Sequence, residues 1–365
     1  MNPTALRITE LSGSRREIGE AHGLAHAELI QRSIEVYDRL FFDFVGLSWQ
    51  QARREVGRFE RMIERGFPAI LDEMAGIARG AGVELADILT LNCRSEISLT
   101  RASGGCSAFA LARGGTQWLA QNWDWRADQL HNVVALDIRG EQAAPLVSIG
   151  EAGMVAKIGM NAAGIGVCLN AIRSRTCGEG LPIHVALRKI LECPDMESAV
   201  AVATHDRVCA PAHFLIGSAQ VASAQADDAK GRAVGLEVHP GEPGRLTPER
   251  GVLTHTNHLF ARGEACQVED FPRPDSRPRL ARLDQLLRER LPADASVDEA
   301  CLFDILSDHQ GAPSSICRHH DPDQPPEERM ETLFSVVMNL DARRLSLRHG
   351  KPCESETTLS LSLAD

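Results

Sequence analysis

Through the first hundred residues, apolar positions recur every three or four residues, which predicts helices. Ser14-Arg-Arg-Glu17 has the form of a capping box and opens a run with apolar residues at Ile30, Ile34, Tyr37 and Phe41. Ser48 and Gln51 open a second helix, and Ile70, Met74, Ile77 and Ala81 mark a third after Pro68. From Cys106 onward the texture changes to short apolar segments separated by Gly and Asn turns, as in strands. Segments 106–112 and 118–122 flank Gly114-Gly115, a hairpin signal. Strand character continues at 133–138, 146–150, 155–160 and 165–169.

Pro182 then precedes a helical set at Ile183, Ala186, Leu187, Ile190 and Leu191, and 196–204 repeats that period. Strands return at 213–218, 234–238 and 252–255. A charged amphipathic helix carries Leu280, Leu283, Leu286, Leu287 and Leu291, and a shorter one covers 300–306. A closing hairpin is expected from 332–339 and 344–348. Helices and sheets therefore alternate three times, and layer rules allow an α+β fold of two stacked sheets with helices outside, as one four-layer domain over 1–365. There is no internal repeat or Pro/Ser-rich linker, and the acidic, proline-rich stretch 321–328 reads as an exposed loop.

Composition narrows the partners. Of the 365 residues, 43% are hydrophobic and 24% charged, and no apolar run is long enough to predict a transmembrane helix. Lys and Arg total 39 against 50 Asp and Glu, a net charge of −11, with no basic block for nucleic acid. The N-terminus shows no apolar stretch behind a basic start, so no secretory signal is expected. Ten cysteines without a Cys-x-x-Cys pair then point to a reducing compartment, and a cytoplasmic protein is expected.

Phosphate loops, dinucleotide fingerprints, His-Glu-x-x-His and Gly-x-Ser-x-Gly are all missing from the sequence. His255, His258 and the pair His319-His320 lack a partner set with ligand spacing, so neither a metal nor another cofactor is expected. What stands out is Ser103-Gly104-Gly105-Cys106-Ser107, where helical texture gives way to strands. Two glycines leave the backbone before the thiol unhindered. A loop leading to a buried strand cysteine would look the same. Downstream stand Gln121-Asn-Trp-Asp-Trp125, Leu253-Thr-His-Thr-Asn-His258 and Ser315-Ile-Cys-Arg318.

With Arg16-Glu-Ile-Gly-Glu-Ala-His-Gly23, Leu91-Asn-Cys-Arg-Ser-Glu-Ile97, Glu151-Ala-Gly153 and Glu331-Thr-Leu-Phe334, these motifs extend over nearly the whole chain. In order and spacing the chain resembles the acyl-coenzyme A:6-aminopenicillanic acid acyltransferase family, C45-type N-terminal-nucleophile (Ntn) hydrolases of αββα fold. The resemblance implies an inactive precursor that cleaves itself between Gly105 and Cys106. Residues 1–105 would become a helical α-subunit and 106–365 a sheet-rich β-subunit, the two fragments staying associated. The freed amino group of Cys106, with an ordinary pKa of about 7.7–8.0, would act as base for its own thiol. An acyl-enzyme thioester would then pass to water or to an amine.

By the same resemblance, Asn257 matches an oxyanion-hole amide, worth about 3–4 kcal/mol of barrier. Asp124 matches the acid that positions the nucleophile's amino group, and Arg318 a basic residue beside the thiol. A turn cap at Asn257 or Asp124 and a surface salt bridge at Arg318 compete with these roles. Arg94 and Glu96 could form a paired charge facing the site, or a structural ion pair. His255 and His258 read as core or strand-end residues. Family members often carry Thr after the nucleophile, whereas Ser107-Ala108 follows here, which bears on acyl-donor contacts.

The implied partner is a small acyl amide, with acyl-coenzyme A as an open choice of acyl donor. Acylated β-lactam nuclei and β-alanyl amines lie within the family's range. Two alternatives remain open at this stage: an uncleaved thiol hydrolase using His255 or His258 as base, and a non-catalytic binding protein on the same fold.

Overall fold

The computed structural model describes residues 6–98, 105–141, 143–219, 232–260, 268–292, 295–325 and 329–364. Ser103 and Gly104 of the cysteine motif, Cys266 and residues 326–328 of the acidic stretch lie outside the described residues.

The capping box at Ser14 forms as the sequence predicts, with the Glu17 carboxylate accepting from the Ser14 N–H at 2.9 Å. It opens α1 (Arg15–Ala25). The expected run to Phe41 is broken at His26, whose φ of −126° is not helical, and α2 (Ala27–Val45) starts afresh before stopping on left-handed Gly46. A second capping box at Ser48 opens α3 (Trp49–Glu55), and α4 (Gly57–Gly66) follows. Pro68 occupies the first turn of α5 (Pro68–Ala81), where its missing N–H costs no bond. Two short helices missing from the periodicity, α6 (Leu85–Asn92) and α7 (Arg94–Ser98), lead toward the cysteine motif.

The N-terminal region is not wholly helical, contrary to expectation. β1 (Ile8–Gly13) is a strand, most of it not buried, so its apolar alternation is weak. The hairpin forms from β2 (Ser107–Arg113) and β3 (Thr116–Trp125), with Gly114 and Gly115 at φ of +58° and +77° in its turn. β4 (Val133–Gly140), β5 (Leu146–Glu151), β6 (Ile158–Asn161) and β7 (Ile165–Ala171) come next. Helices α8 (Ile183–Leu191) and α9 (Met196–His205) follow, then β8 (Ala212–Ser218), β9 (Ala233–Val238), β10 (Gly244–Leu246) and β11 (Val252–His255). The chain continues through α10 (Ser276–Arg290), α11 (Glu299–Leu306), β12 (Glu331–Asn339), β13 (Arg344–His349) and β14 (Leu359–Ser362).

One sheet runs β1-β4-β5-β6-β7-β8-β9-β10 and the other β11-β2-β3-β12-β13-β14. Only the β1–β4 pairing is parallel among the described strand pairs; the others are antiparallel. Alternate residues of the second sheet serve two different cores. Ala108, Ala110, Leu119, Val336 and Met338 join the large core that includes Val167 and Ile216 of the first sheet. Phe109, Leu111, Trp118, Ala120 and Val337 instead meet Leu283, Leu286, Leu302 and Phe303 of α10 and α11. With both faces covered, these strands can be apolar at nearly every position. Helices α8 and α9 pack on the first sheet's strands, completing helix, sheet, sheet, helix. The fold is the four-layer αββα sandwich expected.

Candidate active site

Cys106 stands directly before β2 and is 2% exposed. Strand register decides what meets it. Ser107 pairs with Asn122 of β3, so Cys106 lies beside the following residues of that strand, where the Asp124 main chain and carboxylate both act on the thiol. Asp124 in turn pairs with Thr332 of β12. The Thr332 hydroxyl donates to Asp124 Oδ1 at 2.7 Å and accepts from the Arg318 N–H at 2.9 Å, which ties the segment before β12 to the same place.

Arg318 is the buried hub. Its Nε lies 3.3 Å from Asp124 Oδ2, its Nη2 hydrogen-bonds Asp275, and its Nη1 donates to Ser314 at 2.9 Å. The guanidinium lies against Gly105. A Cβ built on that glycine would fall 2.5 Å from Arg318 Nε, so no other residue fits before the cysteine without displacing the arginine.

A second arginine joins the rest. Arg279 Nη1 donates to the Cys106 carbonyl at 2.7 Å and to the Ser107 hydroxyl at 3.0 Å, while Nη2 donates to Asn257 Oδ1 at 3.0 Å. Its Nε rests on Asp275 at 2.8 Å, one helical turn earlier. Asn257 Nδ2 donates to the Ala171 carbonyl at 2.8 Å, and the amide has a second hydrogen to offer. The structure thus brings Cys106, Asp124, Asn257 and Arg318 into one connected cluster.

Arg279 and Asp275 were missed, because a charged helix reads as a solvated face. An Asp–Arg pair at i and i+4 beside the apolar stripe of α10 is the signal that was there. Lys157 and Glu151 were also missed as site neighbours. A lysine among apolar residues of a sheet segment is the clue for Lys157, and Glu151 lay inside a quoted motif.

Arg94 and Glu96 require a correction: they do not form the expected pair. Two positions apart on a short helix, they point to different sides. Arg94 bonds Glu151 Oε2 at 2.6 Å, and Glu96 Oε1 accepts from the Ile183 N–H at 2.8 Å. Glu151 also takes the Lys157 ammonium at 2.9 Å and the Tyr37 hydroxyl. The Lys157 nitrogen lies 3.2 Å from the Trp123 ring centre.

Burial dominates the electrostatics. It raises the Cys106 thiol, and the Asp124 carboxylate adds to that rise, while the Asp124 N–H and the charges of Lys157 and Arg279 oppose it. Burial lifts Asp124 to about 6 against the pull of Arg318 and Arg279. Glu151 goes the other way: burial pushes it up, but Arg94 and Lys157 bring it down to about 2. Lys157 is lowered by burial to about 7, with Glu151 opposing and Arg94 assisting.

His255 and His258 sit in a buried ring stack, as the sequence reading held. His255 has Glu237 on Nε2 at 3.0 Å and the Thr256 carbonyl on Nδ1 at 2.8 Å, and lies 3.5 Å from the His213 ring. His258 Nδ1 meets Ser276 at 2.9 Å. The absence of a partner set does not hold at His319: its ring converges with His309 and Cys317 of the same segment and with Cys353 of a distant one.

The chain is a four-layer αββα sandwich with a buried cysteine at the head of an inner strand. The chain belongs to the acyl-coenzyme A:6-aminopenicillanic acid acyl-transferase family, whose profile it matches over residues 111–354, more than half its length. It is 28% identical over 358 residues to the 40 kDa form of the acyl-coenzyme A:6-aminopenicillanic-acid acyltransferase of Emericella nidulans, covering 97% of this chain and 95% of that one. A conjugated bile acid hydrolase of Clostridium perfringens aligns at 13% identity and a TM-score of 0.49, over 70% of this chain and 92% of that one. The penicillin V acylase of Agrobacterium tumefaciens aligns at 14% and 0.46, over 70% and 86%.

Proposed function

We propose that the chain is the precursor of a cysteine amidohydrolase or acyltransferase that activates itself between Gly105 and Cys106. The observation that carries this reading is the packing of Gly105 under Arg318, directly before a buried thiol beside Asp124. In the maturation step the Cys106 sulfur attacks the Gly105 carbonyl carbon, and the C–N bond breaks as a thioester forms. The thiol proton ends on the new amino group. Water then hydrolyses the thioester, leaving a carboxylate on Gly105 and a free thiol on Cys106. The products are a 105-residue α-subunit and a 260-residue β-subunit, joined by the shared core.

After release, the α-amino group of Cys106 takes the thiol proton as the thiolate attacks an amide or thioester carbonyl. In this reading Asp124 and Arg318 hold that amino group's surroundings, and the second hydrogen of the Asn257 amide serves the developing oxyanion. Arg279 holds Asn257 and the Cys106 carbonyl on one guanidinium, which keeps amide and nucleophile in register. The acyl group leaves to water, the default acceptor, or to an amine. Acyl-coenzyme A and 6-aminopenicillanic acid, the pair named for the Emericella relative, are the first donor and acceptor to try. Nine described cysteines are free thiols, which supports a cytoplasmic setting.

A pair of the thiol with His255 is disfavoured, because both ring nitrogens of His255 are engaged elsewhere. The reading is tested with a panel of acyl amides and acyl thioesters, with and without competing amines. Acyl release should depend on Cys106 and leave a trappable thioester on it. Full turnover by Cys106→Ala would overturn the proposal.

A further inference from the structure

Behind Arg318 stands a cluster that the proposed reaction does not use. Cys317 and His319, the residues on either side of that arginine, turn their side chains toward His309 and Cys353. The His309 and His319 Nε2 atoms are 3.0 Å apart, and the Cys317 and Cys353 sulfurs 3.4 Å apart. His319 Nε2 lies 3.7 Å from the Cys317 sulfur and 3.4 Å from that of Cys353. All four donor atoms fall within 4.8 Å of one another.

Metal–sulfur and metal–nitrogen bonds of about 2.3 and 2.0–2.1 Å give a tetrahedron with edges of about 3.8 Å (S–S), 3.6 Å (S–N) and 3.3 Å (N–N). The four separations given lie within about 0.4 Å of those edges, three of them shorter and the Cys317–His319 one slightly longer. The sulfurs are too far apart for a disulfide, whose bond is about 2.05 Å. The geometry points to a structural zinc site in this chain, with ligands His309, Cys317, His319 and Cys353. Two sulfur and two imidazole donors with no carboxylate in the set select a tetrahedral, thiophilic divalent ion. On binding, both thiols release their protons, so two thiolates cancel the charge of the ion.

The surroundings support the assignment. Glu354 lies 3.7 Å from His319 Nδ1, on the side of the ring away from the other three donors and just beyond hydrogen-bond distance. The loop is also built rigidly. The Cys317 N–H donates to the Asp308 carbonyl and the His319 N–H to the Pro313 carbonyl, each at 3.0 Å. Asp308 is in turn held by Arg282 at 2.6 Å. A metal here would clamp the backbone on both sides of Arg318 and join the loop after α11 to the turn after β13.

The test uses untagged, full-length protein purified under reducing conditions. Elemental analysis should give about one zinc per chain. After chelation, Co2+ should rebind one-to-one with the intense visible bands of a tetrahedral ion and a sulfur-to-cobalt charge-transfer band. Cys353→Ser and His309→Ala, both at exposed positions, should each weaken binding at least about tenfold. Circular dichroism checks that each variant is folded, and the wild-type titration decides alone if either is not. Zinc and cobalt far below one per chain after reconstitution would overturn the site. So would a Co2+ spectrum without the sulfur band, unchanged affinity in a folded Cys353→Ser, or a Cys317–Cys353 disulfide in the reduced protein.

Discussion

Two buried charge clusters act on the Cys106 thiol, and they differ in balance. On one side Arg318 and Arg279 hydrogen-bond Asp124 and Asp275, with Arg273 adding a longer contact to Asp275 at 3.7 Å, so each carboxylate has an arginine of its own. On the other, Arg94 and Lys157 share the single carboxylate of Glu151, with Tyr37 donating to it. The balanced cluster joins β3, α10 and the segment before β12, so it works as a frame. In the other, one carboxylate cannot hold two cations equally. Arginine keeps its charge, and the lysine, lowered by burial to about 7, is the group that gives way. The comparison teaches that the same kinds of side chain can build rigidity in one place and a poised charge in another.

The largest effect is expected from breaking the frame. Arg318→Leu leaves Asp124 and Asp275 without their shared partner and should cost about 3–5 kcal/mol in urea unfolding, with self-cleavage lost. A cost below about 1 kcal/mol would show that the two carboxylates are not held by this arginine. Gly105→Ala presses a methyl on the same guanidinium and should cost about 1–3 kcal/mol while slowing cleavage. Wild-type cleavage kinetics in that variant would mean that the arginine yields freely.

The unbalanced cluster should respond differently to its two cations. Arg94→Met is expected to cost about 3–5 kcal/mol. Lys157→Met, which leaves one cation for one carboxylate, should cost less than about 1.5 kcal/mol. Equal losses in parallel unfolding curves would remove the distinction between the clusters.

The smallest effect is on pH dependence. Asp124 is raised to about 6, above its value in an unfolded chain. The stability it contributes is therefore present below its unfolded pKa of about 3.9 and is lost as pH rises through 6. Maturation runs in the opposite sense, because only the ionised carboxylate pairs with Arg318. The cleavage rate followed by gel should climb between about pH 5 and 7, and a flat profile would exclude a role for Asp124 ionisation.

How much of this could be read from residues alone follows the range of the interactions. The capping boxes at Ser14 and Ser48, the Gly114-Gly115 turn and the stripe of α10 are local, and the sequence carries them openly. Cys106, Asp124, Asn257 and Arg318 were reached through motif order, since nothing local in Asn257 or Arg318 marks a site. What stayed hidden is long-range. β1 is an edge strand with little apolar contrast, and Arg279 becomes a site residue only because α10 packs its face over the head of β2. Arg94 found Glu151, on a different strand, rather than its near neighbour Glu96. Cys353 lies 34 residues from His319 in sequence, so its joining of Cys317 and His319 has no short-range sign.

The central claim is that the chain matures by self-cleavage before Cys106. The most direct measurement is the intact mass of purified wild-type protein beside Cys106→Ala. Two pieces of 105 and 260 residues, the second beginning at Cys106, are expected from the wild type, and a single 365-residue chain from the variant. A wild-type chain that is active and still full length would contradict the account.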